Sequence, residues 1–188
     1  MQTDDLHRAL ARLPFPVALP VARSLAPELS VEARTRNAIF AAYQAMRLTA
    51  LLLLADYLDR EDTHPSLARP LGRMRKPTFG DWFSLTGALC KWARAPGSRC
   101  RLEALAEAWV TLRKDRGGLE ALSPDPNIDP LRAIWHARNT QVAHGGLSLE
   151  GSDEGAELVD QLVAALARML GHLEVLAEVD LIREVPVA

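Results

Sequence analysis

Apolar residues recur along this chain with a helical period wherever a pattern can be read. From about Val31 to Asp59 the positions Ile39, Phe40, Tyr43, Met46, Ala50, Leu51, Leu54 and Leu58 fall on a 3.6-residue period, which predicts one long amphipathic helix. A second helix is predicted from Thr78, with Asp81 three residues on as a capping-box variant, to about Arg94. Its apolar set is Phe79, Trp82, Phe83, Leu85, Leu89 and Trp92. A third, from about Arg101 to Asp115, turns Leu102, Leu105, Trp109 and Leu112 inward. Asp129 followed by Pro130 is an N-cap with proline at the first helical position, so a fourth helix starts there. It ends at Gly145–Gly146, which suit a left-handed cap. Ser152 opens a fifth, whose early acids favour the helix dipole, and which continues to about Val179.

Between these lie the proline-broken LPFPVALP, the connector EDTHPSLARPLGRMRKP and the turn-rich loop GGLEALSPDPNIDP. The tail 180–188 reads as a short strand, a frayed end or the first residues of a further domain. The expectation is an all-α fold: one domain over 1–188, a bundle of about five helices over roughly 15–179, with no internal repeat.

Composition narrows the class without naming a function. With 188 residues, 48% hydrophobic and 24% charged, the chain can bury a core and is not of disordered type. The N-terminus has no signal-peptide pattern, and the longest apolar run, Leu48–Ala55, is short for a bilayer. Cys90 and Cys100 form no metal or redox motif and read as buried or idle thiols. A cytoplasmic protein with no membrane partner is expected. The net charge of −2 hides an asymmetry, since residues 66–116 carry eleven Lys/Arg against four acids and residues 117–188 four Arg against twelve acids. Such blocks meet nucleic acid or an acidic partner, or they attract each other. His7, His64, His136 and His172 lack ligand spacing, so neither metal nor cofactor is expected. The four tryptophans fall among leucines and read as core.

The fourth helix carries an awkward residue. With Leu131 at 0° and about 100° per residue, Ile134 falls near 300°, Trp135 near 40°, Val142 near 20° and Arg138 near 340°. That centres an arginine on the apolar stripe, where it needs a carboxylate, a second subunit or a bound anion. On a regular helix His144 lies about 120° from Arg138 and about 9 Å along the axis, so the two share a ligand rather than touch. Asn139 is placed to brace either.

Arg138-Asn139 followed by His144 resembles the Arg-x(4–6)-His signature of the HEPN superfamily. KPTFGDWFSL (76–85) together with RNTQVAHG is similar to a bacterial HEPN-like module with a Pro-x-x-Gly-x-Trp segment near mid-chain, often joined to other domains in defence and conflict systems. The resemblance spans about Phe15 to Val179. It implies a helical bundle with the motif on a late helix. It also implies metal-independent RNA cleavage, commonly by a homodimer, with Arg138, His144 and Asn139 as the catalytic set. Arg73, Arg75 and Lys76 are then candidate RNA-phosphate contacts, the plain alternative being a solvated connector. Members silenced by nucleotide transfer carry a tyrosine two residues after the histidine; Gly146 stands there, so that regulation is not implied.

Three readings remain open at this point. One is an HEPN-type ribonuclease. Another is a non-catalytic HEPN-like module for a partner protein, a nucleotide, RNA or dimerisation, favoured by the acidic net charge and the 5% aromatic content. The third is an unrelated bundle in which Arg138 pairs with a buried acid such as Asp56.

Overall fold

The computed structural model describes residues 3–60, 63–142 and 153–178. Over these the chain forms α1 (Thr3–Ala9), α2 (Phe15–Leu25), α3 (Val31–Asp59), α4 (Pro65–Gly72), α5 (Phe79–Ala93), α6 (Glu103–Leu112), α7 (Pro130–Ala137) and α8 (Asp153–His172). A π-helical segment, Arg138–Val142, continues α7, and a 3-10 turn, Glu174–Glu178, follows α8. No strand occurs among the described residues. The fold is all-α, as the periodicity predicts.

The predicted helices correspond to α3, α5, α6, α7 and α8, and α1, α2 and α4 add to them. LPFPVALP is not a break. Pro16 occupies the first turn of α2, where a missing N–H costs no bond, and Val17, Pro20, Val21 and Ser24 form one buried face around an internal proline. Inside the expected connector, Pro65 likewise starts α4, which anchors itself through the buried Leu67. The last helix ends earlier than expected, at His172, and tightens into the 3-10 turn rather than running on regularly. The tail 180–188 and the glycines 145–146 lie outside the described residues.

Helix α3 is the centre of the bundle and packs against α2, α5, α7 and α8. Ser30 starts it by accepting the Ala33 N–H at 3.2 Å. Its buried side is Ala38, Ala41, Ala42, Ala45, Met46, Ala50 and Leu53, with Thr49 donating to the Ala45 carbonyl at 2.9 Å. Phe40, Leu51 and Leu58, expected inside, are exposed instead. Small residues win the interior because several helices must approach one backbone closely, and bulk is displaced outward. By length and composition α3 also passes as a membrane span, with a mean hydropathy of 1.6 over eighteen residues, though 44% of that window is buried within the fold.

The opposed charge blocks meet at Asp129, an acid of the second block that pairs with Arg113 and lies 3.9 Å from Arg116 of the first, and a pair of reversed sign joins them again. Asp115, in the loop just after α6, pairs with Arg168 of α8, whose Nε donates at 2.6 Å, and lies 2.8 Å from His172 Nε2. Arg168 also donates to the carbonyls of Gly117 and Arg116, which pins the loop after α6 to α8. Gly117 and Gly118 turn that loop with φ of 81° and 68°, the left-handed region that favours glycine.

Candidate functional site

Helix α7 is tied down at both ends by one chain of contacts. At its start the wholly buried Asp129 caps the helix, Oδ1 accepting the Arg132 N–H at 3.1 Å. Oδ2 pairs with Arg113 and lies 3.9 Å from Arg116. The Arg113 guanidinium sits 4.3 Å over the Phe83 ring, and Phe83 lies 6.0 Å from Phe79 at 22°. Phe79 stacks on Trp135 at 3.9 Å and 7°, and Arg138 lies over Trp135 at 4.8 Å from its ring centroid. The column therefore begins at the α7 N-cap, crosses α5 and returns to the end of α7. Each face-on cation adds an attraction to the ring quadrupole, strongest where water is excluded.

Arg138 is exposed, which corrects the expectation that it lies on the buried stripe. The buried face of α7 is Pro130, Leu131, Ala133, Ile134 and Ala137. On the same helical wheel that face centres near 260°, about 80° from Arg138. A stripe drawn through the bulky Leu131, Ile134, Trp135 and Val142 leaves out Ala133 and Ala137, which are wholly buried where α7 packs on α8 and α3. The helix also changes pitch at Arg138, where π-type hydrogen bonding begins. Such bulges often mark functional positions, and positions extrapolated along a regular helix beyond Arg138 do not hold.

Asp56 is buried as the third reading required, but it does not meet Arg138. Its oxygens take the Arg101 N–H at 2.7 Å and Arg60 Nε at 3.4 Å. Burial works to raise this carboxyl and is outweighed by the Arg101 N–H, the Cys100 thiol and Arg60, which hold it below the ordinary carboxylate range. The described partners of Arg138 are the Trp135 face and Asn139, whose Oδ1 accepts from Nη1 at 2.8 Å. Of the predicted catalytic set, Arg138 and Asn139 are thus side by side, while His144 lies outside the described residues.

A groove of about 350 Å³ opens beside Arg138. Arg36, Ile39, Phe40 and Tyr43 of α3 form one wall. Pro77, Thr78 and Phe79 form the other, with Trp135 and Arg138 at the end. Thr78 and Asp81 cap α5 reciprocally, at 3.3 Å and 2.9 Å, and so set the second wall. Hydrogen bonds from the Thr78 hydroxyl and N–H hold the Asp81 carboxyl below its ordinary range, and the nearby charge of Arg73 adds to this. Arg73, Arg75 and Lys76 are exposed on the segment that leads into Pro77. They stand at the approach to the groove and do not line it.

Arg36, Phe40, Tyr43, Phe79 and Trp135 were not read from sequence as site residues. A signal existed: the chain has four Phe, four Trp and two Tyr, and four of those ten rings line this one groove. Among the described residues no group of three or more His, Cys, Asp and Glu could hold a metal ion. The chain matches no family model, and neither the curated proteins nor the solved structures contain a significant match.

Proposed function

We propose that this chain is an HEPN-like helical module that binds single-stranded RNA at the Arg138 groove and cleaves it without a metal ion. The observation that carries the reading is the state of Arg138. Arg138 is exposed at the end of a groove, and its partners among the described residues are an aromatic face and an amide oxygen, with no carboxylate. An arginine oriented in this way keeps its charge and its donor fork for an external anion. The basic approach at Arg73, Arg75 and Lys76 suits a phosphodiester backbone, which rewards clustered cations whatever the sequence.

The chemistry asked of these groups balances without a co-reactant. The ribose 2′-oxygen attacks the adjacent phosphorus, forming a cyclic phosphate, and the bond to the 5′-oxygen breaks. His144 takes the 2′-hydroxyl proton and delivers a proton to the departing oxygen, the acid–base exchange an imidazole can perform. Arg138 neutralises charge that builds on the phosphate oxygens, and Asn139 keeps Arg138 oriented. Under this reading the protein works in the cytoplasm as a homodimer, in a bacterial defence or conflict system, with α3 as a core helix and no membrane or cofactor.

A second reading, a non-catalytic interaction module, is favoured by Phe40, Leu51 and Leu58. These are exposed and fall within about 20° of one another on α3, an apolar line left uncovered among the described residues. One experiment separates the two. Purified protein is incubated with unstructured RNA in EDTA, beside Arg138→Ala and His144→Ala variants of matched helicity. Cleavage that leaves cyclic phosphate ends, falling about 10²–10³-fold in Arg138→Ala and vanishing in His144→Ala, is expected. An inert wild-type chain that forms a dimer lost in Leu51→Asp/Leu58→Asp would replace the nuclease reading with the second.

A further inference from the structure

We infer that the groove between α3 and the first turn of α5 is a pocket for one unpaired nucleobase, with its phosphate held by Arg138 and Arg36. This rests on the RNA reading above and adds a specificity element to it: recognition of an unpaired base rather than of the backbone alone.

Size sets the first limit. A space of about 350 Å³ stands at the small end of ligand sites, enough for a nucleotide unit and too small for a helix or a folded partner. Its chemistry is mixed in a particular way. The walls offer flat apolar surface from Phe40 and Tyr43 on one side and from Pro77 and Phe79 on the other, while the cationic groups are guanidiniums. Aromatic faces for bases beside arginine for phosphate is the combination that single-stranded nucleic acid rewards.

The aromatic rings divide the work. Trp135 is already engaged by Phe79, stacked at 3.9 Å, and by Arg138 at 4.8 Å, and therefore acts as the support that aims Arg138. Tyr43 has Arg47 over it at 5.5 Å. Phe40 is different: it is 46% exposed, lines the groove and takes no part in the column. It is the platform left open for an incoming ring. Arg36, on the same wall one turn before Phe40, pairs with Glu32 in an exposed contact of the kind that contributes little and is readily exchanged for a phosphate. A base already paired in a duplex cannot enter, so the pocket selects single strands.

The test uses the full chain carrying His144→Ala, which removes cleavage while binding is measured. Anisotropy of a labelled, unstructured twelve-nucleotide RNA is compared with the same strand annealed to its complement. In that background Phe40→Ala should weaken single-strand binding about tenfold or more, the loss expected for one stacked base. Phe40→Leu, which keeps bulk and drops the ring face, should weaken it in the same direction. Leu58→Ala, a more exposed apolar change about 27 Å along α3, should leave it unchanged. Arg36→Ala should reduce both affinity and its salt dependence. Equal affinity for duplex and single strand, or undiminished binding by both Phe40 variants, overturns the pocket. If the wild-type chain then still cleaves RNA, the nuclease reading stands without it. Binding that depends on Phe40 in a chain that never cleaves keeps the pocket and removes the nuclease, and no RNA binding at all removes both.

Discussion

Replacing Asp129 separates two jobs that one buried carboxylate performs. Oδ1 caps α7, and an N-cap of this type contributes about 1 kcal/mol. Oδ2 neutralises Arg113, with Arg116 at 3.9 Å. Removing one partner of a fully buried pair costs about 3–5 kcal/mol. The Arg113 and Arg116 side chains keep 25% and 35% of their exposure, so water screens part of that charge. A discounted cost of about 1–2 kcal/mol is the reasonable expectation for the charge alone. Asp129→Asn keeps a capping oxygen and should lose about 1–2 kcal/mol, and Asp129→Ala about 2–3 kcal/mol. Urea unfolding followed by circular dichroism reads this directly. At a slope of about 2 kcal/mol per molar, the midpoint of the Asn variant should fall by about 0.5–1 M. Adding Arg113→Met to Asp129→Asn should recover part of the loss, because the stranded charge disappears with its partner. Two results would refute the reasoning: Asn and Ala variants of equal stability, or a double variant that is no better than Asp129→Asn.

Three further outcomes follow from the same contacts. Arg138→Ala should cost less than about 1 kcal/mol in urea unfolding, since the residue is exposed; a loss of several kcal/mol would return it to the buried stripe. Arg168, working against burial and helped by His172, holds the Asp115 carboxyl below its ordinary range. Its folded-state pKa is depressed, so the stabilisation is present above the unfolded value of about 3.9 and is lost as pH falls through the lowered one. Urea midpoints measured between pH 6 and pH 2.5 should therefore drop less in Asp115→Asn than in the wild-type chain, and an equal drop in both would remove the assignment. Burial pushes the Cys90 and Cys100 thiols up to about 12. Neither should react with iodoacetamide at pH 8 on the timescale that labels the urea-unfolded chain, and rapid native labelling would show that they are not enclosed.

What could be read in advance follows the range of the forces involved. The reciprocal Thr78–Asp81 cap and the Asp129–Pro130 start act within one helical turn, so the sequence alone located α5 and α7 and marked the chain as all-α. Prolines misled at α2 and α4 because a proline in a first turn and one inside a helix look alike until it is known whether neighbours repay the lost bond. Arg138 and Asn139 were legible as a motif, but the direction of Arg138 was not. The face that α7 buries, with Ala133 and Ala137 wholly enclosed, is set by where α8 and α3 lie against it, and that is a property of the neighbouring helices. The groove was wholly a tertiary product. Phe40, Phe79 and Trp135 belong to three helices far apart along the chain, and each alone scans as an ordinary core aromatic. Packing alanines at the centre of α3 pushed Phe40 to the rim and turned a core pattern into a surface one, since helix propensity is set residue by residue but burial is set by whatever lies across the interface.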